Sequence, residues 1–218
     1  MVEETKLRTI PKATAKRLPL YLRYLKMLKN AEVTRIKSKE FSELTQIPSA
    51  TIRRDFSHLG ELGRSGYGYE VSYLIEVFNS ILDTNDEKRI ALIGFGNLGK
   101  ALANNNFRRN ENLTIVSVFD SNPEIIGKEI DGHVVQDVRN LAAVVKEKEL
   151  TVAISTVPSH YSQWAIDQIV AAGITAILNF APDRVEVPAN VHVQYIDLTT
   201  ELQTLIFFDQ NYQGEATR

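Results

Sequence analysis

Ile90-Ala91-Leu92-Ile93-Gly94-Phe95-Gly96-Asn97-Leu98-Gly99 is an apolar run that ends in a GxGxxG fingerprint. The run has the composition of a buried strand, and Lys100-Ala101-Leu102-Ala103 continues as the first turns of a helix. Asp120 closes a second apolar run, Leu113–Phe119, 21 positions after Gly99. Strand, glycine turn, helix and terminal acid together make a dinucleotide site. In this reading Gly94 permits the tight turn and Gly96 lets the backbone approach a pyrophosphate. Gly99 lets the helix pack on the sheet. Phe95, Asn97 and Leu98 complete the loop, and the helix N-terminus offers free N–H groups to the phosphates. Asp120 suits the adenosine ribose hydroxyls and repels a 2′-phosphate, which favours NADH and NAD+ over the phosphorylated dinucleotides. A glycine-rich turn that binds nothing is the bland alternative.

Downstream the pattern keeps alternating. Strands are expected at 90–94, 113–119, 151–155, 176–179 and 193–196, and helices at 97–106, 138–148, 159–172 and 198–212. Such alternation indicates a mostly parallel sheet covered on both faces, an α/β Rossmann domain. Thr156-Val157-Pro158 and Asn179-Phe180-Ala181 follow two of the strands. Ligands in these sheets lie beyond the carboxyl ends of strands, so both turns are expected to complete the pocket.

Upstream the grammar changes. Pro19–Asn30 reads as a helix with Leu18, Leu22, Leu25 and Leu28 on one side and Pro19 in its first turn. Ser38 can cap a second helix and Ser49 a third, with Gln46-Ile47-Pro48 between them. Two short helices across a tight turn are a helix-turn-helix. The Gly- and Tyr-rich segment 60–69 reads as the hairpin of a wing, and 71–82 as a linking helix. Ala50, Thr51, Arg53, Arg54 and Ser57 lie off the apolar face of the third helix and, with Ser49 at its start, can enter a major groove. Lys12, Lys16 and Arg17 are expected to clamp the DNA backbone, and Arg64, at the wing tip, to reach a minor groove. A solvated basic face on a small helical domain is the alternative. Residues 1–84 carry 14 Lys and Arg against 10 Asp and Glu, whereas 85–218 carry 11 against 17. The basic half is therefore the one that suits a polyanion.

The boundaries expected from this reading are 1–84 for a winged-helix DNA-binding domain, 85–197 for the Rossmann domain and 198–218 for a dimerisation helix and tail. In that helix Leu198, Leu202, Leu205, Ile206, Phe207 and Phe208 are apolar around more than one face. One stripe would suffice for packing on its own sheet. The excess points to burial against a second protomer by domain swapping, with a single-chain core helix as the alternative. The chain has no cysteine, no apolar run of membrane-spanning length and no signal pattern, so a cytoplasmic protein without disulfides, metal or membrane partner is expected.

His160 follows the Val157-Pro158-Ser159 turn near the expected nicotinamide, a position at which some NAD enzymes carry a similar turn. Only about 20 residues follow the last strand, too few for a substrate domain, so no catalytic residue is expected. The combination reads as a sensor, with a small NAD-dependent oxidoreductase and a nucleotide-insensitive DNA-binding protein as alternatives.

Four stretches, Ile10–Tyr21, Ser49–Phe56, Gly66–Tyr69 and Gly94–Gly99, resemble the Rex family of redox-sensing transcriptional repressors. The match continues through Asn179–Pro182 and Ile196-Asp197-Leu198. The resemblance implies a homodimer on palindromic double-stranded operators that represses fermentative and respiratory genes. It implies release from DNA by NADH, with NAD+ competing. It also implies an intersubunit ion pair between Arg23 and Asp197 that forms in one state only. Asn105 stands where some relatives carry a tyrosine near that pair, so the relay is expected to differ in detail.

Overall fold

The computed structural model describes residues 10–64, 66–106 and 112–212, excluding the side chains of Arg64, Asn105 and Asn106. The chain divides into two compact units at Asn85 and Asp86.

In the first unit, α1 (Lys12–Asn30) forms with α2 (Ser38–Thr45), α3 (Ser49–Ser57) and α4 (Val71–Ile81) a core around β1 (Arg35–Ile36), β2 (Gly63–Arg64) and β3 (Gly68–Glu70). The three short strands lie in the order β1-β3-β2, antiparallel throughout. Gln46, in the left-handed region at φ 57°, ends α2 and reverses the chain into α3. Its amide bonds to the Ser42 carbonyl at 2.9 Å, which satisfies one terminal acceptor of α2. Tyr21, Phe41, Phe56 and Phe78 are fully buried, and Phe56 meets both Tyr21 and Phe78 edge-on. Edge-to-face pairs of this kind contribute about 0.5–1.5 kcal/mol beyond the area they bury. The arrangement is a winged helix.

The first helix starts earlier than its sequence pattern suggests. α1 begins at Lys12, so Pro19 lies inside the helix and not in its first turn. Pro19 and Ala15 are both exposed, and water can take the carbonyl that proline leaves without a donor.

In the second unit seven strands order as β10-β9-β8-β4-β5-β7-β6. The strands are β4 (Lys88–Ile93), β5 (Leu113–Asp120), β6 (Glu129–Ile130), β7 (His133–Asp137), β8 (Val152–Ser155), β9 (Ala176–Asn179) and β10 (His192–Tyr195). All neighbours are parallel except β6 against β7. Period-two alternation places Ala91, Ile93, Phe119 and Ala153 in one core layer, with α6 (Leu141–Lys148) and α7 (Ser159–Ala171). Ile90, Leu92, Val118 and Ile154 lie in the opposite layer, with Phe95 and Leu102. Both faces of the sheet are therefore covered, as in a doubly wound Rossmann fold.

The sequence reading lacked β6 and β7, and two of its helices are not uniform. The helix after the glycine turn is α5 (Asn97–Ala101) followed by a wider π turn, Leu102–Asn106. The helix expected at 138–148 opens with a tighter 3₁₀ turn, Val138–Asn140, capped by the Asp137 carboxylate.

The last helix, α8 (Leu198–Asn211), buries none of its residues. Its apolar side chains Leu198, Leu202, Leu205, Ile206, Phe207 and Phe208 are 52–65 % exposed. The single-chain core helix left open by the sequence is therefore not what the chain forms. No described helix is long and apolar enough to cross a membrane. Among the described residues no group of His, Asp and Glu is placed to hold a metal.

A nucleotide cleft and a basic helix-turn-helix face

In the second unit the strand order reverses between β4 and β8, which both leave the sheet at the same end. A cleft of about 740 Å³ opens there, lined by Ile93, Gly94, Gly96, Asp120, Ser121, Val138, Thr156, Val157, Pro158, Tyr161 and Trp164. Gly94 has φ 92°, and a Cβ there would press on Thr156 and Val157 at 3.1 Å. A Cβ on Gly99 would collide with the Gly94 carbonyl oxygen. Gly96 differs, because its Cβ would meet nothing within 4 Å. Its backbone faces open space at the cleft, next to the start of α5.

Thr156 fastens the turn. Its hydroxyl donates to the Gly94 carbonyl at 2.6 Å, and its amide donates to the Ile93 carbonyl at 2.9 Å. Asp120 stands at the end of β5 and accepts the Phe95 amide at 2.6 Å and the Asn122 amide at 2.9 Å, one on each oxygen. A carboxylate has about four acceptor sites, so each oxygen keeps capacity for a further hydroxyl donor.

Not every expected residue reaches the cleft. The Phe95 ring is fully buried in the core, so this residue offers only backbone. Asn97 and Leu98 are exposed beside the loop without lining the cleft. Asn179, Phe180 and Ala181 do not line it either. Asn179 is fully buried, and its amide group donates to the Ser162 hydroxyl and the Ala181 carbonyl. Its oxygen accepts the Ala181 amide. Asn179 thus holds the turn after β9 together. Ala181 is buried as well, and the partly buried Phe180 packs against the core layer of Phe95.

The sequence reading missed Ser121, Val138, Tyr161 and Trp164. Tyr161 and Trp164 are three residues apart on α7 and stay 56 % and 44 % exposed, although their spacing suggests a core stripe. Their position just after the Thr156-Val157-Pro158 turn is the signal that could have identified them. His160 is exposed and lies tilted against Tyr161, with ring centroids 4.2 Å apart, outside the lining.

In the first unit Ala50, Arg53, Arg54 and Ser57 of α3 are exposed, and Ser49 and Thr51 are half-buried. The Arg53 guanidinium reaches the Ser38 hydroxyl at 3.3 Å and the Ser49 hydroxyl at 3.5 Å. It lines a concavity of about 370 Å³ with Lys37, Ser38, Lys39, Gly63, Gly66, Gly68 and Tyr69. Three cations thus converge where α2 begins, α3 passes and the wing folds over. Lys37 and Lys39 do not stand out in the sequence; Lys37, not the expected Ser38, is the N-cap residue of α2, and Pro48, not Ser49, that of α3. Lys12 and Lys16 are exposed on α1.

Arg17 differs from Lys12 and Lys16. It holds the buried Asp55 with both Nε and Nη2 at 2.6 Å, so its charge is already paired within the unit. The Arg64 backbone belongs to β2, opposite Gly68, and its side chain lies outside the described residues, as does that of Asn105.

Arg23 is exposed, with its guanidinium 5.3 Å from the centre of the Tyr24 ring. Asp197 caps α8. One oxygen accepts the Thr199 and Thr200 amides at 3.0 and 3.3 Å, and the other accepts the Thr200 hydroxyl at 2.6 Å. The Thr200 hydrogen bonds hold its carboxyl below the usual carboxylate range.

Residues 9–57 match the family model described as "Putative DNA-binding protein N-terminus", and residues 85–183 match the one described as "CoA binding domain". The chain is 71 % identical over 203 residues to the Redox-sensing transcriptional repressor Rex 2 of Enterococcus faecalis, covering 93 % of this chain and 94 % of that protein. It is also similar to the solved structure of the repressor RSP in complex with β-NAD+ and operator DNA. That likeness has a TM-score of 0.82 at 32 % identity, over 94 % of this chain and 97 % of RSP. The complex of RSP with β-NADH gives a TM-score of 0.81 at 32 % identity, over 92 % and 94 % of the two chains.

Proposed function

The chain belongs to the Rex family of redox-sensing transcriptional repressors, and from this membership we propose that it is an operator-binding homodimer released from DNA by NADH. In this reading NADH and NAD+ compete for the cleft lined by Gly94, Gly96, Asp120 and Thr156, with Val157 and Pro158 as an apolar wall. The observation that carries it is the pairing of Gly96 with Asp120 in that cleft. Gly96 leaves open space where a pyrophosphate must approach backbone, and Asp120 keeps acceptor capacity for a ribose hydroxyl. One matching domain model is named for CoA, but the relatives similar over nearly the whole chain were solved with NAD+ and NADH. The named relatives are regulators, and the oxidoreductase alternative has no such support.

The DNA side of the proposal uses α3. Arg53, Lys37 and Lys39 face phosphates beside the wing, while Ala50, Thr51, Arg54 and Ser57 are offered to the major groove. Lys12, Lys16 and Arg64 add backbone and minor-groove contacts. Asp197 and Arg23 act at the joint between protomers, and α8 supplies the dimer through Leu202, Leu205 and Phe208. The working domains are 1–84, 85–197 and 198–218. In this reading the protein works in the cytoplasm, where its DNA partner lies.

Release by NADH is a population shift. NADH binds better to a dimer whose recognition helices misfit the two half-sites, and the operator binds better to the other form. The test is a gel shift on a palindromic duplex selected by the protein from a randomised pool. NADH should dissociate the complex, and NADPH at the same concentration should leave it intact, because Asp120 repels the 2′-phosphate. A complex that survives saturating NADH would refute the regulatory half of the proposal.

A further inference from the structure

We propose that Asp55 is the anchor that sets the orientation of α3 on α1, and that Arg17 is a positioning residue rather than a phosphate contact. The inference rests on the DNA-binding reading of the first unit. Asp55 lies between the exposed Arg54 and the buried Phe56, and only 2 % of it is exposed. Four donors converge on its carboxylate, all from α1. The Thr14 hydroxyl donates to one oxygen at 2.8 Å, joined there by Arg17 Nη2 at 2.6 Å. The other oxygen accepts Arg17 Nε at 2.6 Å and the Tyr21 hydroxyl at 2.7 Å.

Positions 14, 17 and 21 lie on one face of a helix, so the carboxylate is held from successive turns of α1. Such a grip fixes both the slide and the rotation of α3 against α1. The hydrophobic core already holds the two helices together through the buried Leu18, Ile52 and Phe56. A buried ion pair adds little net stability over an apolar isostere, and its best-attested use is to select one arrangement among several. Burial alone would push the Asp55 carboxyl up, but the hydrogen bonds from Arg17, Tyr21 and Thr14 outweigh it and keep the group charged. The same helix carries the exposed Lys12, Lys16 and Arg23. A displacement of α1 is therefore delivered to Arg53 and Arg54 without slip.

Salt dependence separates positioning from phosphate contact. In the full-length protein, Arg17→Gln should weaken binding to the selected palindromic duplex by at least ~10-fold, the scale of one lost base contact. Binding to a scrambled duplex, NADH affinity and the slope of log affinity against log salt should stay at wild-type values. Arg17→Lys keeps the charge but cannot bridge both carboxylate oxygens, and it should show an intermediate loss at the same slope. A slope reduced by about 0.9, with both duplexes weakened alike, would make Arg17 a phosphate contact and overturn the inference. So would wild-type discrimination in both variants. A wild-type protein that selects no duplex would defeat the DNA-binding reading and this inference together.

Discussion

A Gly96→Val protein is expected to fold, bind operator and ignore NADH. Gly96 has φ −74° and ψ −163°, an extended conformation open to any residue, and a Cβ there meets nothing within 4 Å. The cost to the unliganded protein is therefore about 1 kcal/mol or less, mostly from a poorer residue at the N-cap of α5. With nucleotide the balance reverses, because the valine methyls occupy the space through which the pyrophosphate reaches backbone N–H groups. NADH affinity should fall by at least ~100-fold, equivalent to about 2.7 kcal/mol. Calorimetry measures that loss, a melting curve confirms the fold, and a gel shift shows repression that NADH no longer lifts. Gly99→Ala is the contrasting case. Its methyl would strike the Gly94 carbonyl oxygen, so it should lower the melting temperature of the second unit as well as NADH affinity. A Gly96→Val protein that binds NADH like the wild type would remove the cleft from the account.

The second large effect is expected in α8. Replacing Leu205 and Phe208 together with aspartate should convert the dimer to a monomer. Both side chains are more than half exposed in the single chain, so the substitution removes nothing from the protomer's own core. Burying a leucine or phenylalanine contributes about 1.5–3 kcal/mol, and a two-fold interface counts each side chain twice. Loss of the dimer separates two half-site readers that otherwise bind as one ligand. Operator affinity should then drop by ~100-fold or more. Sedimentation gives the mass, and a melting curve should show an intact protomer. A double variant that remains dimeric would mean that α8 is not the interface.

Much of this organisation was legible because it depends on local pattern. Ile90–Ile93 and Leu113–Phe119 advertise buried strands, and Gly94 and Gly99 between them mark a turn that a side chain would obstruct. Gln46-Ile47-Pro48 likewise marks the reversal between α2 and α3. β7 escaped because it sits near the sheet margin and fully buries only Val135, so no alternation marks it. The pairing of Arg17 is hidden in the sequence because a cation on a helix reads as solvated, and its partner Asp55 stands 38 residues away. Asn179 reads as a ligand contact in the sequence because it follows a strand at the correct end. Its amide also braces its own turn, a role visible only once Ser162 and Ala181 are in place. Tyr161 and Trp164 show the reverse case, since aromatic spacing suited to a core lies on the wall of a cleft.

The cleft and the α3 face are expected to belong to one two-state equilibrium, and such coupling must be reciprocal. The most direct test is NADH affinity measured by calorimetry with and without saturating selected duplex. If NADH lowers operator affinity by some factor, the operator must lower NADH affinity by the same factor, and NAD+ must shift it less. Equal NADH affinity in the two measurements would contradict the account.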